Sequence, residues 1–158
     1  MGAVIQKFMN KFEEFKSLPS GESFKIEVTD QEATAAAKEY LAENKAQIKD
    51  LLKEKTGFGL DVDKPAIAFG KDQIALSAKG GMGFVKANAS LVADVHWDGK
   101  LSVVVQSVDV PIISVSPEKL NSVAGAPLQQ AMEKVEEYAE IRSFELTDGL
   151  AVLEAVKK

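Results

Sequence analysis

The feature that most constrains this chain is a long run in which apolar and polar side chains alternate. From Val85 to Trp97 every odd position is apolar, and every even position except Val92 is polar. Such a period of two is typical of a strand with one buried and one solvated face. Asp98-Gly99 follows, and an Asp-Gly pair between two alternating runs is a strong signal for a two-residue hairpin turn. Because the apolar phase returns from Leu101 to Val105, the sequence predicts an antiparallel pair of strands here.

Short alternating segments on either side extend this pair to a four-part antiparallel meander from about Ala66 to Ile113. Turns are predicted at Gly70-Lys71-Asp72 and at Gly80-Gly81. Pro65 predicts an edge or a break, because proline cannot donate to a strand ladder. Beyond Ser107 the apolar positions change phase, which predicts a β-bulge or a bend.

Two stretches before the meander carry helical periodicity. Ala3 to Lys16 places its apolar residues three and four apart, which predicts an amphipathic helix. Thr29 and Glu32 form a capping-box pattern, so a second helix is predicted from Gln31 to about Lys55. Asn44 is a candidate kink in that helix.

The C-terminal part of the chain carries helix signals and then strand signals. Ser116-Pro117 is typical of a helix start, with serine as the cap and proline in the first position. Gly125-Ala126-Pro127 is expected to interrupt this helix. Two alternating runs, Ile141–Leu146 and Leu150–Val156, predict a final hairpin around Asp148-Gly149.

These elements, with a half-buried strand at Phe24–Val28, predict an α+β fold in which an antiparallel meander packs against a long helix. The chain has 158 residues, the length of one domain. We therefore expect an amphipathic N-terminal helix within residues 1–17 and a single α+β domain over residues 22–158 that ends in a β-hairpin.

Composition excludes some classes of function. The net charge of -5 would repel nucleic acid, and no basic patch offsets it. The chain has no cysteine, which excludes disulfides, thiolate metal sites and cysteine nucleophiles. No run approaches the roughly 20 apolar residues that span a bilayer, and the first residues lack a signal-peptide pattern. The sequence as given predicts a cytoplasmic protein; the alternative is a membrane-associated or extracytoplasmic protein, if an N-terminal anchor precedes it.

Patterns for catalysis and metal binding are weak. Asp94, His96 and Asp98 alternate on one strand face and resemble the start of a calcium loop. His96, however, replaces an oxygen ligand, and Val105 stands where the loop needs a bidentate glutamate. The glycines around Gly81 lead into a strand, whereas phosphate-binding glycine loops lead into a helix. We therefore expect no catalytic residue, no metal, no cofactor and no enzymatic activity.

Three segments together resemble parts of bacterial YpmS-like and LmeA-like proteins: FKIEVTDQEATAAAKEYL, VKANASLVADVHWDGKLSVVVQSVDVPIISVSPEKLNSV and IRSFELTDGLAVLEA. Those families are similar to the TULIP-type lipid-binding architecture, in which a strongly curved antiparallel sheet wraps a long helix and leaves an apolar cavity. The resemblance implies that the helix Gln31–Lys55 is wrapped by the meander, and it implies no catalytic residues. Members often carry an N-terminal membrane anchor, where this chain has the charged segment Ala3–Lys16.

The leading hypothesis is a non-enzymatic protein that binds a lipid-like or other apolar ligand between the long helix and the sheet. Small side chains on the odd face of the meander motivate it, because a helix need not fill the space above alanines. Close helix–sheet packing would select alanine as well. The ligand-contacting residues predicted in this way are Tyr40, Leu41, Ile48, Ala87, Ala89, Leu91, Ala93, Val95, Val103, Val105 and Met132.

The alternative hypothesis is a structural or protein-interaction module. Ile5, Phe8, Phe12 and Phe15 line the apolar side of the first helix. This side either docks on the domain's own core or contacts a partner, such as a second copy in a homodimer or a membrane surface.

Overall fold

The structure, a computed structural model, describes residues 2–57, 59–82, 85–110 and 116–158. Within these ranges the chain forms an α+β fold with one four-stranded and one three-stranded antiparallel sheet. The helices are α1 (Ala3–Lys16), α2 (Asp30–Glu43), α3 (Lys45–Thr56) and α4 (Asn121–Glu136), with a 3-10 helix at Pro117–Leu120. The strands are β1 (Ser23–Thr29), β2 (Asp61–Gly70), β3 (Gln73–Met82), β4 (Val85–Trp97), β5 (Leu101–Asp109), β6 (Ala139–Thr147) and β7 (Leu150–Lys157).

The four-stranded sheet confirms the predicted meander. Its strands follow the order β2-β3-β4-β5, and β4 pairs with β5 across the turn that contains Asp98 and Gly99. Gly99 has a φ of 94°, a left-handed conformation that glycine adopts without a Cβ clash. The meander begins at Asp61, before the predicted Ala66, and Ile113 lies outside the described residues.

Two irregularities of the meander agree with the sequence pattern. The β4–β5 ladder shifts between Val92 and Ala93, which leaves Gln106 of β5 without a partner of its own. This bulge changes the apolar phase close to its predicted position. In the edge strand β2 the register shifts around Pro65, and the preceding Lys64 has a φ of 49°.

The turn predicted at Gly80-Gly81 is wrong. β3 continues through both glycines to Met82, and Gly80 pairs with Val62 on one side and with Ala87 on the other. Glycine accepts extended backbone as readily as a turn, so a Gly-Gly pair does not by itself end a strand. β4 begins at Val85, and the residues between the two strands lie outside the described ranges.

The three-stranded sheet has the order β1-β7-β6. β6 and β7 form the predicted C-terminal hairpin around Asp148 and Gly149, and each strand is longer than predicted. The two sheets meet at their turns. There Gly149 donates its backbone N–H to the carbonyl of Phe69 over 2.9 Å, and Asp72 donates to the carbonyl of Leu146 over 3.2 Å.

The N-terminal helices depart from prediction at one point. α1 has its predicted limits, and the capping box of Thr29 and Glu32 is present at the start of α2. The single helix predicted over Gln31–Lys55 is instead two helices separated by Asn44. The Asn44 side chain donates over 2.9 Å to the carbonyl of Tyr40, which also accepts the Asn44 backbone N–H. This local bond competes with regular helix geometry and accounts for the break.

The interruption predicted at Gly125-Ala126-Pro127 is wrong, because α4 runs through these residues without a break. Ser116 and Pro117 occupy the predicted cap and first positions, but the helix they start is the 3-10 helix. The Ser116 hydroxyl bonds the carboxylate of Glu118 rather than a backbone N–H, and this bond lowers the pKa of Glu118.

The buried core lies between the three-stranded sheet, α4 and one end of the meander. Its buried residues form three clusters among the described residues. The first contains Phe24, Met132, Val135, Tyr138, Ala139, Leu153 and Ala155. The second contains Ala93, Val105 and Leu120, and the third contains Val95, Leu146 and Ala151. α4 therefore closes the core between the two sheets.

Candidate functional site

One face of the meander is apolar across all four strands, and we name it the inner face. Strand pairing places the odd residues of β4 beside the even residues of β3 and beside apolar residues of β5. Its members are Val62, Ile67, Phe69, Ile74, Leu76, Ala78, Gly80, Ala87, Ala89, Leu91, Ala93, Val95, Trp97, Leu101, Val103, Val105 and Val108. The opposite, outer face carries mostly polar residues.

One part of the inner face is tightly covered, and we name Ala93, Val95 and Val105 the closed half. Their exposed fractions are 2%, 2% and 5%. Leu120 of the 3-10 helix packs with Ala93 and Val105, and Leu146 of β6 packs with Val95. The closed half is therefore part of the folded core.

The other part of the inner face lies toward the far end of β3 and β4. We name its residues the open half: Leu76, Ala78, Gly80, Ala87 and Ala89. All five are partly exposed, and none belongs to the three buried clusters of the described residues. Leu91 lies between the halves, because it is partly exposed yet packs against the cluster of Ala93.

Two glycines show the difference in packing directly. A Cβ atom added to Gly125 of α4 would lie 3.4 Å from the Cβ of Val103, at the lower limit of ordinary contact. A Cβ atom added to Gly80, on the inner face of β3, would have no heavy atom of the described residues within 4 Å. α4 therefore contacts the sheet closely, whereas the sheet at Gly80 faces unfilled space.

The helices α2 and α3 contact β2, the strand that pairs with β3. The Thr34 hydroxyl of α2 accepts from the N–H of Ile67 over 2.9 Å and donates to its carbonyl over 3.2 Å. α2 thereby covers the free edge of β2. None of the α2 residues is fully buried, and Tyr40 and Leu51 are 49% and 38% exposed. Apolar side chains on these two helices are thus less covered than those of α4.

The structure separates the ligand-contacting residues predicted from the sequence into three groups. Those that are partly or largely exposed are Tyr40, Leu41 and Ile48 of the helices and Ala87, Ala89 and Leu91 of β4. Those that form the closed half or pack against it are Ala93, Val95, Val103 and Val105. Met132 lies apart from both, buried with Phe24 under the three-stranded sheet. That any of these residues contacts a ligand stays a prediction.

The apolar side of α1 contacts the domain itself over its second half. Phe12 and Phe15 pack against the first cluster, and the ring of Phe15 stacks on Phe24 with centroids 4.6 Å apart. Ile5 and Phe8 are partly exposed and belong to none of the three clusters. Contact of this side with a partner or a membrane stays a prediction.

The first turn of α1 is held by acidic side chains of α2. The backbone N–H groups of Val4 and Ile5 donate to the carboxylate of Glu39 over 2.9 and 3.0 Å. A carboxylate at this position interacts favourably with the positive end of the helix dipole. Lys7 lies 3.8 Å from Glu32, whose pKa is lowered chiefly by its hydrogen bond from the Thr29 backbone.

Tyr138 closes the aromatic stack under α1. Its ring stacks on Phe24 with centroids 6.1 Å apart, and the ammonium groups of Lys16 and Lys157 lie 6.0 and 5.9 Å from its centroid. Its hydroxyl is buried and has no hydrogen-bond partner among the described residues. Burial and, to a smaller extent, the charge of Glu13 raise the pKa of Tyr138 to about 12.

A polar cleft of about 410 Å³ lies where the β4–β5 turn approaches β6. Its lining residues include Asp72, His96, Trp97, Asp98, Arg142 and Glu145. Asp94, the first residue of the calcium-like pattern, accepts a hydrogen bond from the Gln73 amide over 3.0 Å. Across the described ranges, no three histidine or acidic side chains come close enough to hold a metal ion. This cleft contains no residue of the open half.

The sequence analysis missed Leu76, Ala78 and Gly80 as members of the open half. The signal was present, because Ile74, Leu76 and Ala78 alternate and pair with β4 in an unbroken register. The misplaced turn at Gly80 concealed how far this register continues. Recognising Gly80 as a strand residue would have placed it opposite Ala87.

No protein-family model, curated protein or solved structure matches this chain. The resemblance to YpmS-like and LmeA-like proteins therefore rests on the sequence pattern and stays a prediction. In the part of the chain that the structure describes, none of the helices is both long and apolar enough to cross a membrane.

Proposed function

We propose that this protein is a non-enzymatic binding protein whose open half holds a lipid-like or other apolar ligand. The observation that carries the proposal is the open space above Gly80, where an added Cβ atom would meet no heavy atom of the described part of the chain within 4 Å. Apolar surface that the protein's own core leaves uncovered gains free energy when an apolar ligand removes it from water.

The chemistry of the open half favours an apolar ligand over a polar one. Its side chains are those of leucine and alanine, and glycine adds none, so no side chain there can donate or accept a hydrogen bond. Sites that orient polar ligands instead place a few polar groups among apolar ones. Recognition here would rest on shape and apolar contact, as for an acyl chain.

The helices beside β2 supply the second surface of this proposed site. Tyr40 and Leu51 are substantially exposed, and Leu41 and Ile48 are partly exposed. A ligand lying between these helices and the open half would cover apolar side chains of both. Leu91 would bound the site, because the covered part of the inner face begins beside it.

The direct test is uptake of a fluorescent fatty acid, together with lipid extraction and native mass spectrometry of the purified protein. We expect saturable uptake by the unaltered protein. In Gly80→Leu the new side chain occupies the ligand's space, and affinity should fall by about tenfold or more, which corresponds to roughly 1.4 kcal/mol.

Gly70→Leu is the matched control. Gly70 is also a strand glycine without a heavy atom near an added Cβ, but it pairs with Gln73 on the outer face. The Gly70→Leu variant should bind the probe as the unaltered protein does. Absence of both co-purifying lipid and probe uptake in the unaltered protein contradicts the proposal, as does an equal loss of uptake in the two variants.

A further inference from the structure

The edges of the two sheets differ in how they are closed. On β2 the Thr34 hydroxyl occupies the edge at Ile67, and on β5 the Asn121 side chain accepts from the N–H of Val105 over 2.8 Å. Both strands also carry a register shift. β6 has a register shift between Ile141 and Ser143, and its Leu146 carbonyl accepts from the other sheet. Bulges and covering side chains of this kind prevent further strand pairing.

Among the described residues, β1 is the edge strand that has no register shift and no covering side chain before its last residue, Thr29. It pairs with β7 residue by residue from Ser23 to Thr29 without a register shift. The ladder continues at both ends, where Glu22 accepts from the N–H of Lys157 over 2.9 Å and Asp30 donates to the carbonyl of Gly149 over 3.0 Å. The even residues of β1 therefore bond to β7.

Backbone groups alternate in direction along an antiparallel strand, so Ser23, Lys25 and Glu27 point their N–H groups away from β7. Thr29 points the same way, and its N–H is taken by the carboxylate of Glu32 over 3.2 Å. In the described part of the chain, no hydrogen bond reaches the N–H groups of Ser23, Lys25 and Glu27. All three residues are exposed.

We propose that this edge pairs with β1 of a second copy of the chain, antiparallel about a two-fold axis at Ile26. Lys25 then lies opposite Glu27 of the second copy, and Glu27 lies opposite Lys25 of the second copy. These are the residues whose backbone groups point outward, so each opposed pair exchanges backbone hydrogen bonds as well as charge. A two-fold contact of this type uses one surface twice and closes at the dimer.

The charges select this register. Shifting the register by two residues keeps the residues with outward-pointing backbone groups opposed. It would, however, place Lys25 opposite Lys25 of the second copy, or Glu27 opposite Glu27 of the second copy. Like charges directly opposite each other destabilise a strand pair, whereas the Lys25–Glu27 register pairs unlike charges twice. On the same face Lys25 also lies 3.4 Å from Glu154 of β7, so its ammonium would sit between two carboxylates.

In this dimer the three-stranded sheet of one copy and that of the second copy form one continuous sheet. Stable protein–protein interfaces bury about 1,200 Å² or more, and a strand edge alone buries less. We therefore expect a weak dimer whose formation depends on protein concentration and on salt. This inference does not depend on the proposed ligand, because β1 and the open half lie on different sheets.

Sedimentation velocity over a concentration series at low salt tests the pairing. Lys25→Glu and Glu27→Lys each place like charges opposite in the dimer, and each should weaken self-association about tenfold or more. An equimolar mixture of the two variants restores unlike charges in a heterodimer, and it should associate at least as well as the unaltered protein. Backbone amide exchange at Lys25 and Glu27 should slow as protein concentration rises.

Glu154→Gln is the control for the ion pair within the chain, because it removes the partner of Lys25 without changing the edge. It should leave the dimer largely intact. Phe8→Asp tests the other candidate surface, the exposed part of α1. The proposal is overturned if the unaltered protein stays monomeric, if the mixture stays monomeric, or if Phe8→Asp abolishes a dimer that Glu27→Lys retains.

Discussion

The closed half and the open half of the inner face are both built from small and branched apolar residues and share strand β4, yet they are packed in different ways. Ala93 is 2% exposed in the closed half, whereas Ala89, on the same face of the same strand, is partly exposed. In the closed half α4 approaches the sheet so closely that a Cβ atom added to Gly125 would already contact Val103, 3.4 Å away. At Gly80 in the open half, an added Cβ atom would have no heavy atom of the described residues within 4 Å.

The comparison shows that the alternating pattern determines which face is apolar but does not determine what covers that face. The second and third buried clusters join the closed half to α4, the 3-10 helix and the three-stranded sheet, and the first cluster joins α4 to the three-stranded sheet. The described residues of α2 and α3 contribute to none of them. The first region has the packing expected of a folded core, and the second has the incomplete packing expected of a binding surface.

The largest expected effect on stability comes from truncating a buried side chain of α4. Met132 is 2% exposed, so Met132→Ala leaves a cavity and should lower the free energy of unfolding by about 2–5 kcal/mol. Leu51→Ala on α3, where the side chain is 38% exposed, should change it by less than about 0.5 kcal/mol. Urea unfolding of both variants measures the difference. Equal losses would mean that the two regions are equally packed.

Replacing a glycine by a larger residue should also distinguish the two halves. It should destabilise the protein where α4 covers the inner face and leave stability unchanged where the face is open. Gly125→Leu forces a side chain against Val103 and should destabilise the protein by about 1–3 kcal/mol, despite the better helix propensity of leucine. Gly80→Leu fills unoccupied space and should leave the midpoint of thermal unfolding unchanged or raise it. A large loss at Gly80 would show that the open half is filled in solution.

The two edges of the meander should also differ in how much stability is lost when the side chain that covers each edge is replaced. Asn121→Ala leaves the N–H of Val105 without a partner where Val105 is 5% exposed, which should cost about 1–3 kcal/mol. Asn121→Asp keeps the accepting oxygen and should cost less. Thr34→Val removes both bonds to Ile67, but water can replace them at this partly exposed edge, so the loss should be below about 1 kcal/mol. Chemical unfolding at neutral pH checks all three variants.

The smallest expected effect on stability concerns the buried hydroxyl of Tyr138 in the first cluster. The buried Tyr138 hydroxyl has no hydrogen-bond partner in the described part of the chain, so Tyr138→Phe should leave stability at pH 7 unchanged or slightly higher. The folded pKa of about 12 lies above the ordinary value of about 10, so folding favours the neutral phenol. That contribution is complete below about pH 10 and is lost as the pH rises toward 12.

Unfolding measured at pH 9 and at pH 11 separates this contribution from other alkaline effects. The unaltered protein should lose more stability between the two values than Tyr138→Phe does. Tyr40→Phe is the control, because Tyr40 is 49% exposed, and it should behave as the unaltered protein. An identical pH response of all three proteins would contradict the assignment of Tyr138 as a buried, unpartnered phenol.

Local signals in the sequence were sufficient for much of the fold. The period of two around Asp98-Gly99 gave the central strands, the Thr29–Glu32 pattern gave the start of α2, and Pro65 marked the irregular edge of β2. Each of these features depends on residues close together in the chain. The fold class followed from them because antiparallel meanders and hairpins pair neighbouring segments.

Features that depend on distant contacts could not be predicted in this way. Gly125 and Pro127 interrupt a helix in isolation, but the close approach of α4 to Val103 uses the missing side chain of Gly125. Helix propensity is a weak prior that tertiary packing overrides. The same reason explains why Met132, predicted beside the meander alanines, lies instead with Phe24.

The central claim is that an apolar ligand binds the open half and leaves the closed half unchanged. Alanine-methyl NMR during titration with a fatty acid tests it most directly, because alanines occur in both halves. We predict that the methyl signals of Ala78, Ala87 and Ala89 shift in a saturable way, while those of Ala93 and Ala151 do not move. Shifts of Ala93 without shifts of Ala87 and Ala89, or no saturable shift at any alanine, would contradict the account.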